Sequence, residues 1–156
     1  MATDIIWKTP TVSYVKLMDI VNSLADDTTD DDGQTAINNE SDLATHMDIE
    51  IELGSVDLSA STAPAIWVYL IESVDGGTDF DDYTDATATE GLMPRFDKLC
   101  AIIEVREGSG AETKTAIKSM IPIPPARFKL VVRNKCGAAL GSTNTLYYRT
   151  YNLNNV

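Results

Sequence analysis

HMDIEIEL, the stretch from His46 to Leu53, alternates polar and apolar side chains with a period of two. Consecutive side chains of a β-strand point to opposite faces, so this pattern predicts a strand with one face in a core and the other in water. The predicted core face carries Met47, Ile49, Ile51 and Leu53. The stretch is too short and too regular for a helix, and it therefore favours a β-sheet protein.

A second stretch, AIWVYLI from Ala65 to Ile71, is apolar throughout and rich in β-branched and aromatic residues. It begins just after Pro64 and ends before the turn signal Asp75-Gly76-Gly77. Such composition is typical of a strand that is covered on both faces. The sequence therefore predicts a central strand here.

Four more runs, each bounded by Gly, Pro or Asn, predict strands downstream: Lys98 to Arg106, Thr113 to Ile121, Ala126 to Asn134 and Thr145 to Tyr151. Upstream, Gln34 to Ile37 is a short strand candidate, whereas Tyr14 to Leu24 has neither a strand nor a helix period and its assignment stays open. Six to eight short strands without an amphipathic helix predict an all-β fold. We expect an antiparallel β-sandwich with jelly-roll topology, and an immunoglobulin-like sandwich is the alternative.

The chain has 156 residues, 44% of them hydrophobic, which fits one domain spanning residues 1–156, with residues 1–12 as a candidate N-terminal arm. A domain of this size buries about 70% of its unfolded surface and needs no disulfide or structural metal. Cys100 and Cys136 match no metal or redox spacing, so we expect free thiols.

Pro122, Pro124 and Pro125 predict a stiff corner between two strands. No run approaches the ~20 apolar residues of a membrane span, so we expect a protein that is made in the cytoplasm and has no membrane partner.

Charge is divided unevenly along the chain. Residues 1–94 carry 20 acidic and two basic side chains, a net charge of −18, whereas residues 95–156 carry 10 basic and four acidic side chains, a net charge of +6. Two interpretations follow: the halves neutralise each other inside one sheet structure, or they form a bipolar surface that docks on an acidic protein assembly. The net charge of −12 argues against nucleic acid as a partner.

The predicted strand from Ala126 to Asn134 is the best candidate for a basic surface. Its inner face would carry Phe128, Leu130 and Val132, and its other face would carry Arg127, Lys129 and Arg133. Because those three cations alternate with apolar residues, we expect them to project together into solvent.

No catalytic pattern can be assembled from the sequence. His46 lies in the alternating strand and is expected on its polar face, and no nucleophile, phosphate-binding or zinc-protease motif occurs. The acidic stretches Asp26 to Gly33 and Asp75 to Glu90 lack the spacing of a calcium loop, so we expect solvated loops. We therefore expect no enzyme, no cofactor and no metal. Exposed tyrosines near the C-terminus are a candidate glycan platform: Tyr147, Tyr148 and Tyr151. Strand alternation must send some of these rings inward.

Two segments carry a resemblance to a known family. The first runs from Met47 to Ser55 and on into Ala65 to Phe80, and it resembles a strand pair closed by a "YL...S.DGTNY" turn. The second consists of Ile121 to Asn134 and Leu146 to Asn152. These two parts are similar to the C-terminal patterns "IPIPPG.FK..L.N" and "L.YR.YN". Ala126 stands where that pattern has Gly, and Gly77 precedes Thr78. These segments are similar to small virion structural proteins of tailed bacteriophages.

The resemblance implies a jelly-roll decoration or cement protein that binds the outside of a phage capsid, commonly as a homotrimer across junctions between capsid subunits. Its partner would be the major capsid protein, and it would be located on the exterior of the virion. The expected capsid contacts are Ile5, Ile6, Trp7, Arg127, Lys129, Arg133 and Arg149. A tail or head-fibre component is one alternative. A carbohydrate-binding module for host attachment, which would use the three tyrosines, is another.

Overall fold

Two β-sheets form the described part of the chain. The computed structural model describes residues 13–20, 22–30, 35–80, 94–108 and 112–152. The strands, in chain order, are β1 (Val15–Ile20), β2 (Thr29–Asp30), β3 (Ile37–Asn38), β4 (His46–Leu53), β5 (Ala65–Glu72), β6 (Leu99–Glu104), β7 (Lys114–Pro122), β8 (Arg127–Lys135) and β9 (Asn144–Tyr151). A short 3₁₀ helix, Phe96–Lys98, leads into β6.

The strand order is β1-β9-β4-β7 in the first sheet and β2-β8-β5-β6 in the second, where β3 extends the β2 edge along β8. All these pairs are antiparallel, and they are nested: β1 pairs with β9, β2 and β3 with β8, β4 with β7, and β5 with β6. A long hairpin of paired strands that is rolled into two sheets is a jelly roll. The predicted antiparallel jelly-roll sandwich is therefore confirmed, with β2 and β3 together occupying one of eight strand positions.

The unassigned stretch near the N-terminus forms β1. Val15 and Lys16 pair with Tyr148 and Tyr147, but Met18 pairs with Leu146, so one extra residue, Leu17, is inserted in the strand. A β-bulge of this kind shifts the side chains that follow to the other face. The bulge explains why this stretch shows no clean period of two.

The core lies between the two sheets. The four apolar side chains of β4 predicted to face inward have no measurable exposure, and they pack with inward residues of β8 such as Phe128 and Leu130. Burial of each such side chain contributes about 1.5–3 kcal/mol. The alternation of β4 is therefore the pattern that anchors the first sheet to the second.

The proline corner lies where the chain changes sheets. β7 belongs to the first sheet and β8 to the second, so Pro122, Pro124 and Pro125 span the crossing as predicted. The Asn39 side-chain amide donates to the Pro124 carbonyl at 2.7 Å. Both cysteines are free thiols, as expected, and burial raises the pKa of each to about 12.

Replacement of Gly54 by Ala should destabilise the fold, because an added Cβ would overlap the backbone carbonyl oxygen of Ser142. Overpacking of this kind costs about 1–3 kcal/mol. Gly108→Ala is the matched control, since no atom of the described residues other than its chain neighbours lies within 4 Å of its added Cβ. Urea unfolding should show a lowered midpoint for Gly54→Ala and an unchanged one for Gly108→Ala. Equal midpoints in both variants would contradict the close approach.

Candidate functional site

The outer face of the first sheet, here called the first-sheet face, combines acidic and aromatic side chains. Strand alternation and register place on it His46, Asp48, Glu50 and Glu52 of β4 opposite Tyr151, Arg149, Tyr147 and Thr145 of β9. His46 therefore lies on the polar face of its strand, as predicted. Its ring stacks on Tyr151, with the ring centroids 6.1 Å apart.

A buried carboxylate lies at the centre of the first-sheet face. The Asp48 side chain is only 3% exposed, and its Oδ2 accepts hydrogen bonds from Nε and Nη2 of Arg149 at 2.9 and 2.7 Å. Its Oδ1 accepts from the Tyr151 hydroxyl at 2.9 Å and from the Met120 backbone N–H at 3.0 Å. The Tyr14 ring covers the Arg149 guanidinium at 4.6 Å. Arg149 is therefore engaged within the protein.

These contacts set the charge state of the cluster. Burial by itself would raise the pKa of Asp48, but the hydrogen bonds from Arg149, Met120 and Tyr151 together lower it below its ordinary value of 3.8. Burial and the neighbouring carboxylate raise the pKa of the Tyr151 hydroxyl to about 12. At neutral pH, Asp48 is therefore ionised and Tyr151 remains a hydrogen-bond donor.

Asp48 also holds an irregularity in the edge strand β7. The register with β4 shifts here: Met47 pairs with Ile121 and Ile49 with Lys118, which leaves an extra residue in β7. Met120 lies in that bulge with a φ of 62°, a left-handed conformation that is costly for a residue with a side chain. Its N–H bond to Asp48 stabilises this conformation. The bulge leaves the Met120 side chain 45% exposed on the strand.

The role of Asp48 could not be predicted from the sequence. In the pattern of β4 it is indistinguishable from Glu50 and Glu52, which also alternate outward. Only the cross-strand pairing with Arg149, 101 positions away, and the bulge of β7 bury it. No local signal in the sequence could have separated it from its neighbours.

The candidate tyrosines divide between the two faces of β9. Tyr147 and Tyr151 lie on the first-sheet face, whereas Tyr148 packs against the core and its pKa is raised by burial. The expectation that alternation turns some rings inward is confirmed. Two of the three residues of the predicted glycan platform therefore share one surface.

The outer face of the second sheet, here called the second-sheet face, is covered by an apolar layer. Tyr69, Ile71 and Val131 are at most 1% exposed and pack with Trp67, Phe80 and Leu99 outside the sandwich core. Arg127, Lys129 and Arg133 do share this face of β8, as predicted. Lys129, however, is only 6% exposed. The expectation of an exposed basic patch is therefore wrong at Lys129, which is buried beside Ile71 of β5 and against the Phe80 ring, whereas Arg127 is 39% exposed.

Each cation of β8 has a partner within the protein. Arg127 Nε donates to Glu40 at 2.9 Å, and the Lys129 ammonium lies 4.8 Å from the Phe80 ring centroid. Arg133 pairs with Asp27. Among the expected capsid contacts, Arg149 lies on the other sheet, so the four arginine and lysine side chains do not form one patch. The remaining expected contacts, Ile5, Ile6 and Trp7, lie outside the described residues.

The acidic loops are partly structural. Asp30 is only 2% exposed, so this carboxylate is not the solvated side chain that the sequence predicted. Asp27 is 54% exposed, as expected, and also forms ion pairs with Arg133 and Lys135. Asp75 closes its turn by accepting from the Thr78 and Asp79 N–H groups at 2.9 and 2.7 Å. Within the described ranges, no group of three or more His, Cys, Asp or Glu side chains is arranged to hold a metal ion.

No protein-family model, curated protein or solved structure matches this chain. In the part of the chain that the structure describes, no helix has the length and hydropathy to cross a membrane.

Replacement of Asp48 by Asn should cost about 3 kcal/mol of folding free energy at neutral pH, because it leaves the half-buried Arg149 without its counterion. Asp19→Asn is the control, since the Lys16–Asp19 pair is exposed and such pairs contribute at most about 1 kcal/mol. Urea unfolding of both variants measures the difference. Equal losses would contradict a stabilising role for the buried cluster.

The stability of wild type and that of Asp48→Asn should also respond differently to acid. The folded pKa of Asp48 is below its unfolded value, so its contribution to stability is complete above pH 3.8 and is lost as the pH falls through the folded pKa. Wild type should therefore lose more stability than Asp48→Asn on acidification below pH 3.8. The measurement is the urea midpoint of each protein as a function of pH. Parallel pH profiles would be inconsistent with this assignment.

Proposed function

We propose that this protein is a structural component of a tailed-bacteriophage virion, a capsid decoration protein that binds the outer surface of the shell and stabilises it. The observation that carries the proposal is the jelly-roll order of the strands, with β1 nested against β9 and β5 against β6. The resemblance to virion proteins implies the same jelly-roll fold. It is carried by Met47 to Ser55 with Ala65 to Phe80, and by Ile121 to Asn134 with Leu146 to Asn152. A β-sandwich by itself serves many functions, so the resemblance supplies the role and the topology supports it.

The physical task of a decoration protein is to bind the assembled shell better than free capsid subunits. Each copy that contacts two or more subunits then opposes their separation, and binding energy becomes lattice stability. A homotrimer multiplies these contacts, because simultaneous attachment of three copies raises the effective concentration of each. The proposed partner is the major capsid protein.

Among the basic residues expected to contact the capsid, Arg127 has the most available side chain. It is 39% exposed, against 14% for Arg133 and 24% for Arg149. Its partner Glu40 is also exposed, so the pair can open without leaving a buried charge. We propose Arg127 as the basic contact of β8 with the shell.

The copy number of the protein in purified particles of the encoding phage tests its place in the virion. The expected result, from quantitative mass spectrometry, is an abundance comparable with that of the major capsid protein. Stripping with high salt should lower the temperature at which particles release DNA, and adding back the purified protein should restore it. A few copies per particle would instead indicate the tail or a head fibre, and absence would exclude a virion role.

Charge reversal tests the docking contact. Arg127→Glu should weaken rebinding to stripped particles at physiological salt, because it places a like charge on an acidic shell. Arg106→Glu is the matched control, with the same change in charge at a 77% exposed side chain that also belongs to a surface ion pair. Both variants should keep wild-type stability to within about 1 kcal/mol. Equal rebinding by both variants would exclude Arg127 as the contact.

A further inference from the structure

A cleft of about 640 Å³ opens on the second-sheet face, at the β5–β6 edge. Its volume lies within the range of about 300–1,000 Å³ that small-ligand sites occupy. The cause of the depression is local: Ala65 pairs with Glu104, and its small side chain cannot fill the space beside Trp67. We call it the Trp67 cleft.

The apolar floor of the cleft is built around the indole of Trp67. Trp67 pairs across the sheet with Ile102, which is 43% exposed and lines the same cleft. Pro64 and Ala65 extend this floor toward the start of β5. A ligand in the cleft therefore meets a flat aromatic ring flanked by aliphatic groups.

Contacts with residues outside the cleft fix the orientation of the indole. The Arg133 guanidinium and the Lys135 ammonium lie 5.8 and 5.6 Å from its ring, on the side of β8, while the cleft lies on the side of β6. The Phe96 ring meets the indole edge-on at 6.2 Å. A ring that is already fixed in place loses little conformational entropy when a ligand stacks on it, which favours binding.

The rim of the cleft is polar and follows the same period as the strand. Ile102, Glu104 and Arg106 are alternately exposed along β6 and its continuation, and Glu107 completes the lining. The carboxylates accept hydrogen bonds and the guanidinium donates them. The cleft therefore combines an aromatic floor with acceptors and donors at its edge.

We infer that the Trp67 cleft binds neutral carbohydrate, with the C–H face of a sugar ring stacked over Trp67 and its hydroxyl groups bonded to Glu104, Arg106 and Glu107. A sugar ring has the matching division, since its two faces are largely apolar and its edge carries hydroxyl groups. Polyanions are disfavoured by the two rim carboxylates and by the net charge of −12. Cationic peptides are disfavoured because Arg133 and Lys135 already lie beside the indole. The inference does not depend on the proposed virion role.

The test applies the full chain to a glycan microarray carrying neutral glucans, mannans, galactans and chitooligosaccharides beside sulfated and sialylated glycans. Binding to at least one neutral class is expected, and calorimetric titration of that oligosaccharide then measures the dissociation constant. Absence of neutral hits, or binding to acidic glycans alone, would overturn the inference.

Variants locate the binding site. Glu104→Gln and Glu107→Gln should each weaken binding about tenfold or more, as expected for loss of a hydrogen bond to a charged group. Both residues are exposed, so these variants keep the fold even if Trp67→Ala, which should abolish binding, loses its packing against Phe96. Tyr147→Ala, on the first-sheet face, is the control and should bind like wild type. Unchanged binding by both glutamine variants, or loss in Tyr147→Ala, would overturn the assignment.

Discussion

The structure depends on one constraint, the antiparallel return of the second half of the chain along the first. In the described residues every strand pair joins a strand from β1 to β5 with one from β6 to β9. The acidic first half and the basic second half thus become neighbours. The ion pairs Asp48–Arg149, Asp27–Arg133 and Glu40–Arg127 all cross between the halves. Of the two interpretations of the charge layout, the described residues therefore favour internal neutralisation over a bipolar surface.

The two outer faces accommodate their buried charged side chains in different ways. On the first-sheet face a buried carboxylate accepts hydrogen bonds from three partners and supports the bulge at Met120. On the second-sheet face an apolar layer surrounds and buries Lys129 of β8. At its β6 edge that layer ends and leaves the Trp67 cleft open. The two proposals are physically compatible, because many copies on one shell would make weak single-site glycan binding effective through avidity.

The local sequence pattern was sufficient to predict most of the strands. The alternation of β4, the apolar run of β5 and the proline corner are properties of neighbouring residues, and side-chain direction in a strand follows from position alone. Prediction failed where a tertiary neighbour decided the outcome. Lys129 alternates like an exposed residue, but Ile71 of β5 pairs with it and its ammonium lies over the Phe80 ring beyond β5, so it is buried. The bulge at Leu17 likewise erased the period from which β1 would have been predicted.

The fold class, the core face of β4 and the division of the C-terminal tyrosines between two faces follow from the sequence alone, because each depends on a period of two among consecutive residues. Which outward-facing groups reach solvent depends on the tertiary structure. Asp48 and Glu50 are equivalent in the pattern, yet Asp48 is buried and Glu50 is not, because pairing with Arg149 and the bulge at Met120 depend on segments far away in the chain. Burial on an outer face depends on what covers it, and that information is not local.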